Sequence, residues 1–272
     1  MEMKFRQSTY IAFISAIAFL FSSCEKVIDL KLKNSDAGIV IEGAVTNEPG
    51  PYRVKISRKV NFDEPNIFPP VNGAKVVITD NTGITDTLSE VSPGIYQTAS
   101  ITGVPGNTYT LTVEDQGKTY SGQSIMPSPV AIDSISIDYF LTGGPDTLKY
   151  VKIDFKDLEG VRNYYRIVEV FNGDTLGGIH ILNDDFRDGH RIVQPVFESG
   201  EDGMYQTFKS GDVVTILLLS IDEGTFNYLR GVDAIADGGP TRTPSNPPTN
   251  LTKPALGYFS AYSVASKTII VQ

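Results

Sequence analysis

Along most of this chain apolar and polar positions alternate with a period of two, the pattern of strands that bury one face. Ile39, Ile41 and Gly43 alternate with Val40, Glu42 and Ala44. The same rhythm returns at Tyr52, Val54 and Ile56, at Val76 and Ile78, and at Tyr109, Leu111 and Val113. Turn formers separate these runs: Asp80-Asn81-Thr82-Gly83, Ser92-Pro93-Gly94 and Asp115-Gln116-Gly117. Glycine at such points supplies the positive φ that tight hairpins need. Seven or eight strands at this spacing predict a β-sandwich of about 100 residues. At Met126-Pro127-Ser128-Pro129-Val130 two prolines stop any central strand, so 127–130 reads as a stiff linker.

Strands resume at 131–140, 148–157, 163–171, 177–182, 191–197 and 213–221. One helix is expected at about 223–236, with Asp222 as its cap and Phe226, Leu229, Val232 and Ile235 or Ala236 recurring on one side. Gly238-Gly239-Pro240 ends it, a Pro/Asn/Thr-rich loop runs over 237–256, and two last strands are expected at 257–264 and 267–272. The expected fold is therefore all-β: two antiparallel β-sandwich domains, 24–126 and 131–272, the second with one short helix.

The N-terminus breaks this rhythm. Lys4 and Arg6 precede residues 10–21, which are apolar but for Ser15, and Ser22 and Ser23 lead into Cys24. A run of a dozen residues falls short of the roughly 20 that span a bilayer, so residues 1–23 read as a signal peptide. Cys24 is the only cysteine of the chain. A lone thiol directly after a signal core is the expected lipidation site of a bacterial lipoprotein. One acyl chain gives only reversible membrane binding, and several give a lasting anchor. Loss of Glu2, Lys4 and Arg6 with the signal would move the net charge from −9 to −10. That acidity, with no basic stripe, excludes nucleic acid as a partner.

Candidate chemistry is sparse. The two histidines, His180 and His190, bracket a loop that holds Asp184, Asp185 and Asp188. If the loop joins adjacent strands, nitrogen and oxygen ligands for a divalent cation meet at one tip. The competing reading is a solvated hairpin, because aspartate stabilises turns and the spacing fits neither an EF-hand nor a zinc motif. No GxSxG, HExxH or cysteine nucleophile is present, so no catalytic residue is assigned, and no cofactor is expected. The loop 237–256, with Arg242, Asn246 and Asn250, is stiffened by proline and suits a partner surface; the alternative is a crossover packed on the sandwich. Tyr139-Phe140, Tyr164-Tyr165 and Tyr258-Phe259 each set one ring on either face of a strand, leaving one face as a contact surface or a sugar platform without Trp. Asp-Ser/Thr-aliphatic triplets at Thr87, Ser134, Thr147 and Thr175 resemble a bacterial O-glycosylation signal, although Asp-Thr also serves simply as a turn exit.

The segments CEKVIDLKLKN, VIEGAVTNEPGPYRVKISRKVNF, PVNGAKVVITD, GVPGNTYTLTVEDQGKTYSGQSIMPSPVAIDS and NPPTNLTKPALGYFSAYSVASKTIIV, in this order, resemble the Bacteroidota outer-membrane lipoprotein family called domain of unknown function 4249. GAKVVITD followed by a glycine turn and GIY is also similar to the carboxypeptidase-regulatory type of sandwich, an immunoglobulin-like or transthyretin-like fold. The resemblance implies a lipid-anchored outer-membrane protein, on the cell surface or the periplasmic face, commonly encoded beside a TonB-dependent receptor. It implies no catalytic residue. The expected function is a non-catalytic accessory or ligand-binding partner of such a transporter. The alternative is a structural surface protein, an adhesin or pilin-like subunit.

Overall fold

The computed structural model describes residues 38–60, 65, 67–141, 147–197, 208–236 and 246–272. The signal segment, Cys24 and Arg242 lie outside the described residues, as does the Thr147 side chain. The first half forms β1 (Ile39–Thr46), β2 (Arg53–Arg58), β3 (Lys75–Asp80), β4 (Thr85–Ser92), β5 (Ile95–Gln97), β6 (Thr108–Asp115) and β7 (Lys118–Ile125). Their order is β1-β2-β5-β4-β3-β6-β7, with every neighbour antiparallel. The predicted alternation holds residue by residue: in β1, Ile39, Ile41 and Val45 are buried while Val40, Glu42 and Ala44 are not. Ile56, Ile78, Tyr109 and Leu111 face them in the first core. Full burial of side chains of this size contributes about 1.5–3 kcal/mol each, which makes this core the main source of stability in a half with no disulfide.

The second half begins where Met126 closes the first core and Val130 opens the second, so 127–130 links two separate hydrophobic clusters. It contains β8 (Ile132–Leu141), β9 (Thr147–Lys156), β10 (Tyr164–Phe171), β11 (Asp174–Thr175), β12 (His180–Asn183), β13 (Arg191–Val196), β14 (Val213–Ile221), the helix α1 (Glu223–Ala236) and β15 (Leu256–Ile270). β13, β9 and β8 make a three-stranded sheet. Its inner face, with Val151, Ile153 and Phe155, packs on Tyr165 and Ile167 of β10 and on Val214, Ile216 and Leu218 of β14. On the opposite face of β10 and β14 lies α1, where Phe226 and Leu229 meet Tyr164, Val168 and Leu219. Asp222 caps the helix as expected, its Oδ1 accepting the Thr225 N–H at 2.8 Å. Its Oδ2 accepts the Ser124 hydroxyl at 2.6 Å, which fastens the helix start to β7.

β15 joins the halves and departs from the expected pattern in two ways. The two anticipated last strands are one continuous strand, because small residues, Ala265 and Ser266, carry the chain on with no turn between them. Its partners change along its length: Leu256–Tyr262 pair in parallel with Val40–Thr46, and Ser263–Ile270 pair antiparallel with β14. This parallel pair is an exception in an otherwise antiparallel fold. Leu251, Ala255, Phe259 and Ala261 therefore belong to the first core although they follow the second in sequence. Gly257, at φ +90°, makes the close approach possible, since a Cβ there would overlap the Ile41 carbonyl oxygen.

Candidate functional site

The loop from His180 to His190 does not join neighbouring strands. β12 pairs with β10 of the large sheet, and β13 pairs with β9 of the small one, so the loop crosses between sheets. Neither imidazole belongs to the group of side chains that could share a cation among the described residues. His180 lies half-buried opposite Ile167, and the Nδ1 of exposed His190 bonds the Asp188 carbonyl at 2.6 Å. Asp185 turns away as well, pairing with Arg162 at 2.9 Å and accepting the Asn183 amide. What does converge is Asp184 and Asp188 with Asp157, whose carboxylate oxygens lie within 4.8 Å of one another. Asp157 ends the β9 run in Asp157-Leu158-Glu159-Gly160, and its turn-forming sequence was the one available signal.

Three carboxylates offer hard oxygen ligands of the kind that suits Ca²⁺ or Mg²⁺. Four of their six oxygens already accept a hydrogen bond from the protein. Asp157 accepts the Tyr165 hydroxyl on one oxygen and the Gly189 N–H, at 2.9 Å, on the other. Asp184 accepts the Asn163 N–H at 2.9 Å, and Asp188 the Gly160 N–H at 2.7 Å. Burial, and then the hydrogen bond to Asp157, raise the Tyr165 phenol far above its ordinary value, so it remains a donor. The group thus ties the ends of β9 and β10 to the crossing loop. Beside it opens a cleft of about 350 Å³ bordered by Arg162, Asp185 and Phe186. Phe186 is fully exposed at φ +64°, a backbone region costly for a bulky side chain.

The described part of the 237–256 loop, from residue 246 on, packs against the fold. Pro247 and Pro248 lie so close to Gly231 of α1 that a Cβ there would collide with them. Asn250 works as a short substitute strand: its amide accepts the Phe259 N–H at 3.1 Å and donates to the carbonyls of Phe259 and Gln123 at 2.6 and 2.9 Å. Asn246 is exposed. Of the triplet hydroxyls, Thr87, Ser134 and Thr175 are exposed. Asp86, which precedes Thr87, is buried and serves the fold: one carboxylate oxygen accepts the N–H groups of Ala99, Ser100 and Ile101 at 2.7–3.0 Å.

Among the paired rings, Tyr165 and Phe259 are core residues and Tyr164 and Tyr258 lie on the α1 side of the sheet, whereas Tyr139 and Phe140 are both more than half exposed. A family profile described as domain of unknown function DUF4249 matches residues 25–268, nearly the whole chain. The chain belongs to the DUF4249 family. The comparison with curated proteins gave no match. The DUF4249 match begins directly after Cys24, runs through both cores and ends within β15. Among the described residues of this DUF4249 chain no helix is long and apolar enough to cross a membrane.

Proposed function

We propose that the chain is a non-catalytic outer-membrane lipoprotein of the Bacteroidota kind, held by acyl chains on Cys24. Its β-sandwich body, with a carboxypeptidase-regulatory-like first half, serves as an accessory or ligand-binding partner of a TonB-dependent transporter. The observation that carries this reading is the leader itself: a basic start, a short apolar run and the single cysteine of the chain, followed at residue 25 by the start of the family match. A body built from burial and backbone pairing, in a chain whose single cysteine allows no internal disulfide, is compatible with permanent acylation of that thiol. The mechanism is positional, the anchor fixing the body at the membrane so that a weak contact with a co-anchored partner is made at high effective concentration.

The pilin-like alternative requires a strand that is given up between subunits. β1 lies between β15 and β2 with both edges paired, which weighs against its exchange. Isolation of the tagged native lipoprotein from membranes in mild detergent tests the proposal. A transporter-sized outer-membrane protein is expected to co-purify in fixed proportion; a lone monomer in every preparation contradicts it.

A further inference from the structure

The face of the large sheet that carries α1 holds an arginine with no counterpart among the described residues. Arg166 projects on this side of β10, between Tyr164 and Val168, both of which pack under the helix. Its Nε is buried and has no hydrogen-bond acceptor, and its guanidinium forms no ion pair among the described residues. A buried unsatisfied donor is costly, and native proteins rarely retain one without use. Tyr258 and Tyr262 lie on the same face of β15, and Tyr228 of α1 stacks on Tyr258 with centroids 4.5 Å apart. All three tyrosines are half-buried, and their hydroxyls make no hydrogen bond among the described residues. Burial raises all three phenols, that of Tyr228 to about 12, while the Arg166 charge opposes the rise at Tyr258 and Tyr262. At neutral pH they are therefore O–H groups beside a fixed cation. Glu42, the cross-strand neighbour of Tyr258, pairs with Lys55 at 3.6 Å.

We infer that Arg166, Tyr228, Tyr258 and Tyr262 form a binding site for a small polyhydroxylated carboxylate, such as an acidic sugar. The guanidinium takes the carboxylate through paired N–H donors, and the phenols take the hydroxyls and offer a ring face. Glu42, beside Tyr258, accepts a further hydroxyl. A neutral sugar leaves the arginine unanswered, and a bare carboxylate leaves the phenols unanswered. This inference goes beyond the anchoring reading by naming a ligand class, and it stands or falls on binding by the isolated chain, whatever co-purifies from membranes.

Calorimetry on the full chain in detergent, with D-glucuronate as the probe and D-glucose and acetate as comparisons, tests it. Saturable binding of one glucuronate is expected, with neither comparison binding, and a loss of affinity of about tenfold or more in Arg166→Met. Arg162→Met, which removes a different arginine from the chain, is expected to bind as wild type does. Because methionine keeps the apolar stem and removes the orphaned donor, Arg166→Met is also expected to melt at or above the wild-type temperature. No glucuronate binding in wild type, equal binding by Arg166→Met, or a lower melting temperature for that variant overturns the assignment.

Discussion

Burial alone would raise the Asp86 carboxyl, yet the N–H groups of Ser100, Ile101 and Ala99 outweigh it and hold the group below the ordinary value of 3.8. A carboxylate depressed in this way stabilises the fold above its unfolded value, and the contribution is lost as pH falls through the still lower native one. Asp86→Ala leaves three N–H groups of the 99–101 turn without their acceptor. It is expected to cost about 1–3 kcal/mol at pH 7, read by urea denaturation. The penalty should shrink as the pH is taken below 3.8, where the unfolded chain takes up the proton first, and on through the lower native value; a penalty that does not change with pH contradicts this account. Asp80 is held down in the same sense: burial raises it, and bonds from Thr82, Ile84 and Asn107 more than compensate. Asp80 proves to be a buried acceptor for its own turn, and Asp86 for the distant 99–101 segment.

At the scale of elements, β15 and the residues that serve it decide the architecture. Asn250 occupies the gap between β7 and β15, so Asn250→Ala removes three hydrogen bonds from partly buried backbone. A loss of about 1–3 kcal/mol is expected in thermal or chemical unfolding. Gly257→Ala should be worse, because it adds strain at positive φ to a collision with Ile41; a variant that folds with wild-type stability would refute the parallel register Ile41–Gly257. The alternation in β1, β2, β3 and β6 was legible because each strand's burial is a property of its own residues. The helix was legible too, from Asp222 and the spacing of Phe226 and Leu229. The union of the last two strands was not, since the pairing of Leu256–Tyr262 is set by β1 at the far end of the chain. The same reason hid Asp157, Arg166 and the role of Asn250: each acquires its neighbours only when distant strands meet. His180 and His190 misled because nearness in sequence was read as nearness in space, and the chain changes sheets between them.

For the molecule as a whole, two cores separated at 127–130 and joined again by β15 make one body, and the single cysteine of the chain allows no disulfide within it. The account assigns Cys24 to anchoring alone and the 39–271 body to folding and contact. The most direct test is Cys24→Ser expressed in the native host, with membrane fractionation and a melting curve measured together. The account predicts that the wild-type protein stays in the membrane fraction through a salt wash, while the variant is absent from it and the variant's purified body melts at the wild-type temperature. A variant that remains in the membrane, or one that misfolds, would contradict the division between anchor and scaffold.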